Sequence, residues 1–431
     1  MPGKLNCCLR VLLSGKGTWL VKLIKKTVLY IVPIGVLGGA PRSLIELIRA
    51  IPENTVVPYI ISPNGKSIDY FRGISKRTFL TKGVPQFDNT RFGYYRKQRW
   101  LILVRELFYM PFFMTALIQA KCKIGKVDCI HVNEITALLP ALLARMLFSA
   151  PIILHVRSVQ ADPALTRLRT RTLGYLIRRF INQVVAIDET VKQSLSYLCD
   201  VKVVHNSFNY DSVENTQQKP KQRKDNKIKI AMIGSLLELK GIFDFLQAAK
   251  ICLDSGLNIE FVIVGENVRN EPGIKGFLLR KMGYSRDVYS ECEGFIAEHE
   301  LGENIKLMGF SFDVQRIYRD IDILCFPSHL EAVGRPVFEA AFFKVPSIVA
   351  ILNPTSDTFK HNETGLAVPP KKPENLANAM KYLYWHPQER ERMGQIAYEL
   401  ANKNFNCSTN TKKIISIYNE VINSCARSVG V

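Results

Sequence analysis

The chain has 431 residues, of which 47% are apolar and 22% are charged. This balance excludes global disorder, and the length predicts about two or three domains of ordinary size. The formal net charge is +20, and it is unevenly distributed: residues 1–210 hold 30 Lys/Arg against 11 Asp/Glu, whereas the rest hold 28 against 27. A basic half can face nucleic acid, an anionic membrane or an acidic substrate, or it can be a solvated surface.

The ten cysteines form no C-x-x-C pair and no zinc-binding spacing. This pattern predicts a reducing compartment and no metal site. The longest uncharged runs, residues 27–41 and 107–120, hold 15 and 14 residues, whereas a membrane-spanning helix needs roughly 20. We therefore expect a cytoplasmic protein without a spanning helix, in which the first of these runs is a strand and loop rather than a signal peptide.

Residues 211–227 contain a single apolar side chain, Val213, and read as a linker. On both sides of it, short β-rich runs such as Val56–Ile61 and Ile259–Val264 alternate with helical patterns, which predicts parallel sheets wrapped by helices. We expect an N-terminal domain at 1–210, a second domain at 228–410, and a C-terminal helix at 411–431 that packs back on the first domain. Ligands of such sheets bind at the carboxyl ends of the strands.

The stretch Ile321–Ala350 carries the clearest site pattern. A buried strand is followed by the loop PSHLEAVG, and then by a helix that begins near Arg335–Pro336. Glu331 lies in the loop and Glu339 one turn inside the helix. Between them, the backbone N–H groups at the helix start, those of Ala332, Val333 and Gly334, favour an anion. Carboxylates flanking an anion suit a sugar nucleotide; the plain alternative is a capping acid and a solvent-facing glutamate.

A second pattern is IKIAMIGSLLELKG, residues 228–241. Its strand ends at Gly234, and Lys240 opens the next helix, where its ammonium can reach a phosphate. The alternative is a solvated helix lysine. The following strand ends at Gly265 and Glu266, at the same predicted sheet edge. The polar and apolar residues 266–294 then form an insertion to which no function is assigned.

Together these motifs resemble a retaining GT-B glycosyltransferase of glycosyltransferase family 4, also described as glycosyl transferases group 1, from about Val28 to Ala426. Four segments carry the resemblance: Glu331 and Glu339 with seven residues between them, Gly234-Ser235 with Lys240-Gly241, Gly38-Gly39 before a helix at Pro41–Ala50, and NETGLAVPP at 362–370. Two positions depart from the family pattern. Ser235 stands where the family has a diphosphate-binding arginine, and Asn353-Pro354 stands where it often has Gly-Gly.

The resemblance implies an α/β fold of two Rossmann-like parallel-sheet domains that face each other across a cleft. It implies that Glu331 contacts hydroxyls of the donor sugar, that Lys240 binds the diphosphate and that His155 faces the reacting sugar. His131 and His329 have weaker claims to such a role. The nucleotide sugar is expected to lie against Glu339, which would hold the ribose, and against Ala332, Val333, Gly334, Gly38, Gly39, Ser235, Gly265 and Glu266. Neither a metal nor another cofactor is expected.

By resemblance, the protein transfers a sugar from a UDP- or GDP-linked donor to an acceptor, with retention of anomeric configuration. Surface polysaccharide or lipopolysaccharide synthesis on a lipid-linked acceptor, at the inner face of the cytoplasmic membrane, is the expected setting; a soluble acceptor is the alternative. The stretch Arg91–Lys123 pairs basic and aromatic residues with an apolar run, which fits a membrane interface or a core helix. The competing hypothesis is a basic, non-enzymatic module that binds nucleic acid or an anionic membrane.

Overall fold

The structure is a computed structural model that describes residues 11–13, 19–21, 25–95, 97–198, 200–210, 227–267, 286–311 and 313–429. The predicted linker, apart from Lys227, and most of the predicted insertion, residues 268–285, lie outside this range. The chain divides into two compact units. Unit 1 contains the described residues of 1–209 and of 407–431, and unit 2 contains those of 210–406.

Unit 1 is built on an all-parallel sheet, apart from an antiparallel hairpin of β1 (Val11–Leu13) and β2 (Trp19–Val21). Among the described residues, seven strands form this sheet in the order β5-β4-β3-β6-β7-β8-β9. They are β3 (Lys26–Ile31), β4 (Val56–Pro63), β5 (Arg77–Thr81), β6 (Cys129–Val132), β7 (Ile152–Val156), β8 (Gln183–Ala186) and β9 (Val201–Val203). The helices are α1 (Gly39–Ala50), α2 (Ile68–Ile74), α3 (Ile102–Ile124), α4 (Leu138–Phe148), α5 (Arg167–Phe180), α6 (Glu189–Ser194) and α13 (Cys407–Val429).

Helices cover both faces of this sheet. Successive side chains of a strand point to opposite faces, so each strand contributes to two apolar cores. Leu29 and Ile31 join the apolar core formed with α3, α4 and α5. Val28 and Tyr30 join the core on the other face, formed with α1 and α13. The last helix contributes Ile414, Ile417, Tyr418 and Val421, a spacing that places one stripe of α13 against the sheet.

Unit 2 also contains a parallel sheet, of six strands within the described residues, in the order β12-β11-β10-β13-β14-β15. The strands are β10 (Ile228–Ile233), β11 (Ile259–Val264), β12 (Ile305–Leu307), β13 (Ile323–Phe326), β14 (Ser347–Val349) and β15 (Gly365–Ala367). Its helices are α7 (Ile242–Asp254), α8 (Val288–Glu298), α9 (Val314–Asp320), α10 (Arg335–Ala341), α11 (Pro373–Trp385) and α12 (Pro387–Phe405).

Both sheets have a point at which the strand order reverses, and open α/β sheets bind ligands at the carboxyl ends of the strands there. In unit 1 this point lies between β3 and β6, and in unit 2 between β10 and β13. A ligand-binding site is therefore expected in the segments that follow these strands. In unit 2 they include both motifs that carry the predicted nucleotide-sugar chemistry.

Helix α3 corrects one expectation from the sequence. By length and composition, the 26-residue stretch Arg99–Ile124 could cross a membrane, and only 22% of its most apolar window is buried. The charged pair Arg105–Glu106 divides the apolar residues in the sequence, and the helix runs through it with the Arg105 Nε 2.9 Å from Glu106 Oε1. Counting uncharged runs therefore missed this helix, and the prediction that no segment is long enough to span is wrong.

The two halves of α3 differ in their surroundings. In the C-terminal half Phe113, Leu117 and Ala120 are fully buried in the core of unit 1. In the N-terminal half Val104 and Leu107 are 66% and 69% exposed. The core-helix interpretation of the apolar run thus holds for one half of it, and the other half presents apolar side chains at the surface.

Candidate functional site

In unit 2, glycines let three loops approach one another at the reversal point. A Cβ on Gly265 would lie 1.8 Å from the carbonyl oxygen of Gly234, and a Cβ on Gly334 would lie 2.7 Å from the Phe326 ring. The backbone N–H of Leu236 donates to the carbonyl of Glu266 over 3.0 Å. The predicted residues Gly234, Gly265, Glu266 and Gly334 thus belong to one cluster of contacting loops at the carboxyl edge of the sheet.

Gly241 joins the lysine loop to α7 and has two reasons to be glycine. Its φ is +74°, in the left-handed region, and a Cβ on it would lie 1.9 Å from the carbonyl oxygen of Pro327. We expect Gly241→Ala to lower the free energy of unfolding by about 3 kcal/mol, since backbone strain adds to overpacking. Gly256 is the matched control: its φ is +76° and its Cβ position is open. Urea unfolding of Gly256→Ala should show only the conformational cost, about 1 kcal/mol; equal losses in both variants would contradict the close contact.

Lys240 ends the short helical turn Glu238–Lys240, immediately before Gly241. Its ammonium lies 5.6 Å from the centroid of the Phe326 ring, the same ring that Gly334 approaches. Burial lowers the pKa of Lys240 from its ordinary value, because a charged amine is less stable away from water. Within the described part of the chain no carboxylate forms an ion pair with it, so an incoming anion would relieve this cost.

The two glutamates of the motif lie in different environments. Glu331 is exposed in the loop before α10. Glu339 is 2% exposed, and its carboxylate accepts from Arg335 Nε at 2.9 Å and from the Tyr318 hydroxyl at 2.8 Å. Arg335, the first residue of α10, thus pairs with Glu339. A carboxylate can accept about four hydrogen bonds, so the contacts with Arg335 and Tyr318 leave acceptor positions for a ribose hydroxyl. The ribose contact of Glu339 stays a prediction.

The other predicted residues of these loops differ in exposure and in contacts. Ser235 follows Gly234 and is exposed, whereas Ala332 and Val333 are partly exposed beside Glu331. His329 forms a contact that the motif alone did not reveal: its Nε2 lies 2.7 Å from a carboxylate oxygen of Asp244 in the first turn of α7. This pair fixes the PSHLEAVG loop to the helix that follows Lys240.

In unit 1, Gly38 and Gly39 begin α1, with Gly38 in an extended conformation and with open space where its Cβ would lie. The neighbouring Gly35 is packed instead: a Cβ there would lie 2.6 Å from the carbonyl oxygen of Asn64. The Gly38-Gly39 pair therefore leaves the start of the helix accessible, as the predicted contact with a nucleotide sugar requires.

His155 lies in β7 and is 3% exposed. Its Nδ1 is 3.3 Å from Nε2 of His131, whose Nδ1 is in turn 2.8 Å from the hydroxyl of Tyr418. Burial, then the nearby Arg157, lowers the pKa of both imidazoles, that of His131 to about 3. Both shifts favour the neutral imidazole over the imidazolium, because burial disfavours the charged form.

Sequence reasoning missed the polar residues that directly follow β6. Asn133 accepts from Arg157 Nε at 2.7 Å, and Glu134 accepts from the Ser158 hydroxyl at 2.7 Å. Burial raises the pKa of the Glu134 carboxyl, although its hydrogen bonds oppose this shift. Asn206, in the segment after β9, accepts from Arg157 Nη1 at 2.6 Å. The signal was available, because Asn133 and Glu134 directly follow a fully buried strand at the reversal point of the sheet.

The geometry thus yields one polar loop cluster in each unit, and within the described residues no group of three side chains could hold a metal ion. Residues 213–400 match the family model of glycosyl transferases group 1. This part of the chain is similar to the glycosyl transferases group 1 domain over less than half of the full sequence. It contains Lys240, Glu331 and Glu339, so both motifs of unit 2 lie inside the matched region.

The relatives and solved structures agree with this assignment. The chain is 43% identical over 77 residues to the D-rhamnosyltransferase WbpZ of Pseudomonas aeruginosa, covering 17% of this chain and 20% of WbpZ. It is 22% identical over 213 residues to CapM of Staphylococcus aureus, a capsular polysaccharide biosynthesis glycosyltransferase, covering 49% of this chain and 51% of CapM. The matches thus span at most about half the length of these relatives.

Among solved structures, HepE of Anabaena in complex with UDP and glucose superimposes with a TM-score of 0.69 at 17% identity, covering 91% of this chain and 99% of HepE. At this identity the likeness concerns the fold. The predicted fold class, two Rossmann-like parallel-sheet domains of the GT-B type, is confirmed.

Proposed function

We propose that the protein is a retaining glycosyltransferase that transfers a sugar from a UDP- or GDP-linked donor to a glycan or lipid-linked glycan acceptor. The main supporting observation is the loop cluster of unit 2, at the reversal point of the sheet. There Lys240 is half-buried and forms no ion pair within the described residues, and Glu331 is exposed on a neighbouring loop. A cation for the diphosphate and a carboxylate for sugar hydroxyls are what a nucleotide sugar requires.

The proposed chemistry is mainly electrostatic. As the bond between sugar and diphosphate breaks, negative charge grows on the leaving phosphate oxygens, and the Lys240 ammonium stabilises it. Glu331 accepts hydrogen bonds from sugar hydroxyls and orients the ring. The leaving phosphate oxygen then takes the proton of the acceptor hydroxyl, so that no separate protein base and no metal is needed in this scheme.

The comparisons support two parts of this proposal, a UDP-linked donor and a polysaccharide setting. HepE structures contain UDP, glucose and UDP-glucose. WbpZ transfers D-rhamnose by its name, and CapM serves capsular polysaccharide synthesis. A role in surface polysaccharide or lipopolysaccharide synthesis, with a retaining mechanism as in family 4, is the corresponding proposal for this chain.

Nucleotide binding is the direct test. We expect UDP or GDP to raise the melting temperature of the protein, by linkage between binding and folding, and the preferred nucleotide identifies the base of the donor. Lys240→Met should abolish most of this stabilisation while leaving the free protein within about 1 kcal/mol of the wild type, because removal of a desolvated charge offsets the lost cation–π contact. Differential scanning fluorimetry measures both.

The pH dependence provides a control for the same variant. The pKa of Lys240 is lowered in the folded state relative to 10.5, so the unfolded state binds more protons in the window below 10.5. The stability of the wild type relative to Lys240→Met should therefore rise with pH through that window. Failure of both UDP and GDP to stabilise the wild type would contradict the proposed function.

We also propose peripheral contact with an anionic membrane at the cytoplasmic face, through a surface of unit 1 that we call the α3–α5 surface. Its apolar side chains are 58–79% exposed: Leu101, Val104, Leu107, Phe108, Leu165 and Leu168. Exposed basic residues border them: Arg99, Arg105, Arg167 and Arg171. Arg169, whose guanidinium lies 5.5 Å from the Trp100 ring, connects the two parts of the surface.

Apolar side chains bordered by cations suit an interface of lipid headgroups and acyl chains. We expect co-sedimentation with phosphatidylglycerol vesicles at low salt, and weaker binding at high salt or to phosphatidylcholine. The double variant Val104→Glu/Phe108→Glu should lower the partition coefficient at least about tenfold, since two apolar side chains no longer insert. Trp385→Glu, which alters a 66% exposed side chain of unit 2, is the control and should bind normally. Absence of binding to anionic vesicles at low salt would favour a soluble acceptor.

A further inference from the structure

A continuous chain of hydrogen-bonding groups runs through the buried interior of unit 1. It starts at the Tyr30 hydroxyl, 3.0 Å from that of Tyr418, and continues over 2.8 Å to His131 Nδ1. From His131 Nε2 it reaches His155 Nδ1 over 3.3 Å. All four side chains are at most 3% exposed, so no step of this chain is open to bulk water.

The series of hydrogen-bonding groups ends at the Nε2 atom of His155. His155 Nε2 is buried and has no hydrogen-bond partner among the described residues. A buried polar atom without a partner costs about 1–3 kcal/mol, and most buried polar atoms in proteins are paired. The atom belongs to the residue that the sequence selected as facing the reacting sugar. A ligand atom that paired with it would relieve this cost.

The groups at the two ends of this series determine in which direction its hydrogen bonds are donated. In a neutral imidazole one nitrogen donates and the other accepts, so the chain can run in one of two directions. If Tyr30 donates to Tyr418, every hydroxyl and N–H up to His155 Nδ1 has an acceptor, and His155 carries its proton on Nε2. In the reverse direction the Tyr30 hydroxyl donates to nothing, because Tyr418 is its only hydrogen-bond partner within the described residues.

Arg157 selects the same direction. Its Nη2 lies 3.5 Å from His155 Nδ1, and a guanidinium is only ever a donor. The Arg157 side chain is held there by Asn133 and Asn206, whose amide oxygens accept from it at 2.7 and 2.6 Å. A fixed cation beside Nδ1 favours a lone pair on that nitrogen over an N–H, and this again places the proton on Nε2.

We propose that Tyr418, acting through His131, holds His155 as the neutral Nε2–H tautomer, so that His155 donates a hydrogen bond to a hydroxyl or phosphate oxygen of the bound substrate. This inference rests on the proposed function for the identity of the ligand, but the tautomer itself does not. His155 is then a hydrogen-bond donor and not a general base. Tyr418, which lies 287 residues after His131, is a positioning residue supplied by the last helix.

Imidazole ¹⁵N NMR on the histidine-labelled full chain tests the tautomer, since protonated and unprotonated ring nitrogens differ widely in chemical shift. The chain has 7 histidines, and the His155 signals are assigned by their loss in His155→Gln. We expect a proton on Nε2 in both His155 and His131. A proton on Nδ1 of His155 would overturn the proposal, whether or not the protein is a glycosyltransferase.

Two hydroxyl deletions test the direction. Tyr418→Phe removes the donor to His131 Nδ1, and we expect mixed tautomers at both histidines and a fall in transfer kcat/KM of about tenfold. Stabilisation by UDP alone should stay unchanged. Tyr30→Phe leaves the Tyr418 hydroxyl free to donate, so it should keep the Nε2–H tautomer. Loss of this tautomer in Tyr30→Phe but not in Tyr418→Phe would overturn the proposed direction.

Ligand contact is tested with UDP-glucose and GDP-mannose as probes. With whichever probe stabilises the protein in thermal unfolding, we expect the His155 Nε2–H proton to shift and to exchange more slowly with water. A bound probe that leaves this proton unchanged would overturn the ligand contact. If neither probe binds, the proposed function fails, while the tautomer result stands separately.

Discussion

Glu331→Ala is expected to lower the kcat of sugar transfer by about 30- to 1,000-fold, on the order of 2–4 kcal/mol in the transition state, because a charged group that orients the reacting sugar is lost. Its stability should stay within about 0.5 kcal/mol of the wild type, since Glu331 is exposed in a loop. Release of UDP or GDP in the presence of acceptor measures transfer, and thermal unfolding measures stability.

Two further variants serve as controls for this experiment. Glu331→Gln keeps the length of the side chain and one carbonyl acceptor, so it should retain more activity than Glu331→Ala. Exposed Glu374, in the first turn of α11, is a matched glutamate away from the loop cluster, and Glu374→Ala should transfer normally. Near-normal transfer by Glu331→Ala would remove this residue from the proposed site.

Glu339→Ala is expected to act on stability first, with a loss of about 3–5 kcal/mol in the free energy of unfolding. The side chain of its ion-pair partner Arg335 is 9% exposed, and the Nη2 to Oε1 distance is 2.7 Å. Removing Glu339 therefore leaves a buried guanidinium without its counter-charge and the Tyr318 hydroxyl without its acceptor. The melting temperature should fall by roughly 10 °C.

A double substitution separates this effect from a catalytic one. Replacing the pair with apolar side chains, as in Arg335→Met/Glu339→Leu, should recover most of the stability, because such replacements of buried ion pairs are often neutral or stabilising. Transfer should not recover if Glu339 also holds the ribose. Glu339→Ala with wild-type stability would mean that the Arg335–Glu339 pair is not formed in solution.

Continuous apolar runs allowed much of the fold to be predicted. The run Ile259–Val264 agrees with the structure to the residue, and the strand expected to end at Gly234 ends one residue earlier, at Ile233. The strands β5 and β15 were missed. The first is an edge strand that begins with an exposed arginine, and the second has three residues, so neither has the apolar run that reveals a central strand. The last helix begins at Cys407 rather than at Thr411, since helix ends depend on capping and packing that periodicity does not specify.

The two polar loop clusters also differ in how far the sequence alone could predict them. The motifs of unit 2 are local in sequence, so Lys240, Glu331 and Glu339 could all be selected from spacing. The polar network of unit 1 is not local: the hydroxyl of Tyr418 meets an imidazole 287 residues away. A single sequence contains no signal for that contact. Burial of Glu339 was equally invisible, because its partner Tyr318 lies on a different helix, 21 residues earlier.

The membership of α13 in unit 1 has a consequence for the order in which the chain can fold. Unit 2 is continuous, from Tyr210 to Asn406, and is complete once those residues have been synthesised. One face of the unit 1 sheet, by contrast, lacks Ile414, Ile417 and Tyr418 until the last helix has emerged. Because domains generally fold as units during synthesis, the segment translated second is expected to become protease-resistant first. The N-terminal sheet would stay open on one side until residues 407–429 close it.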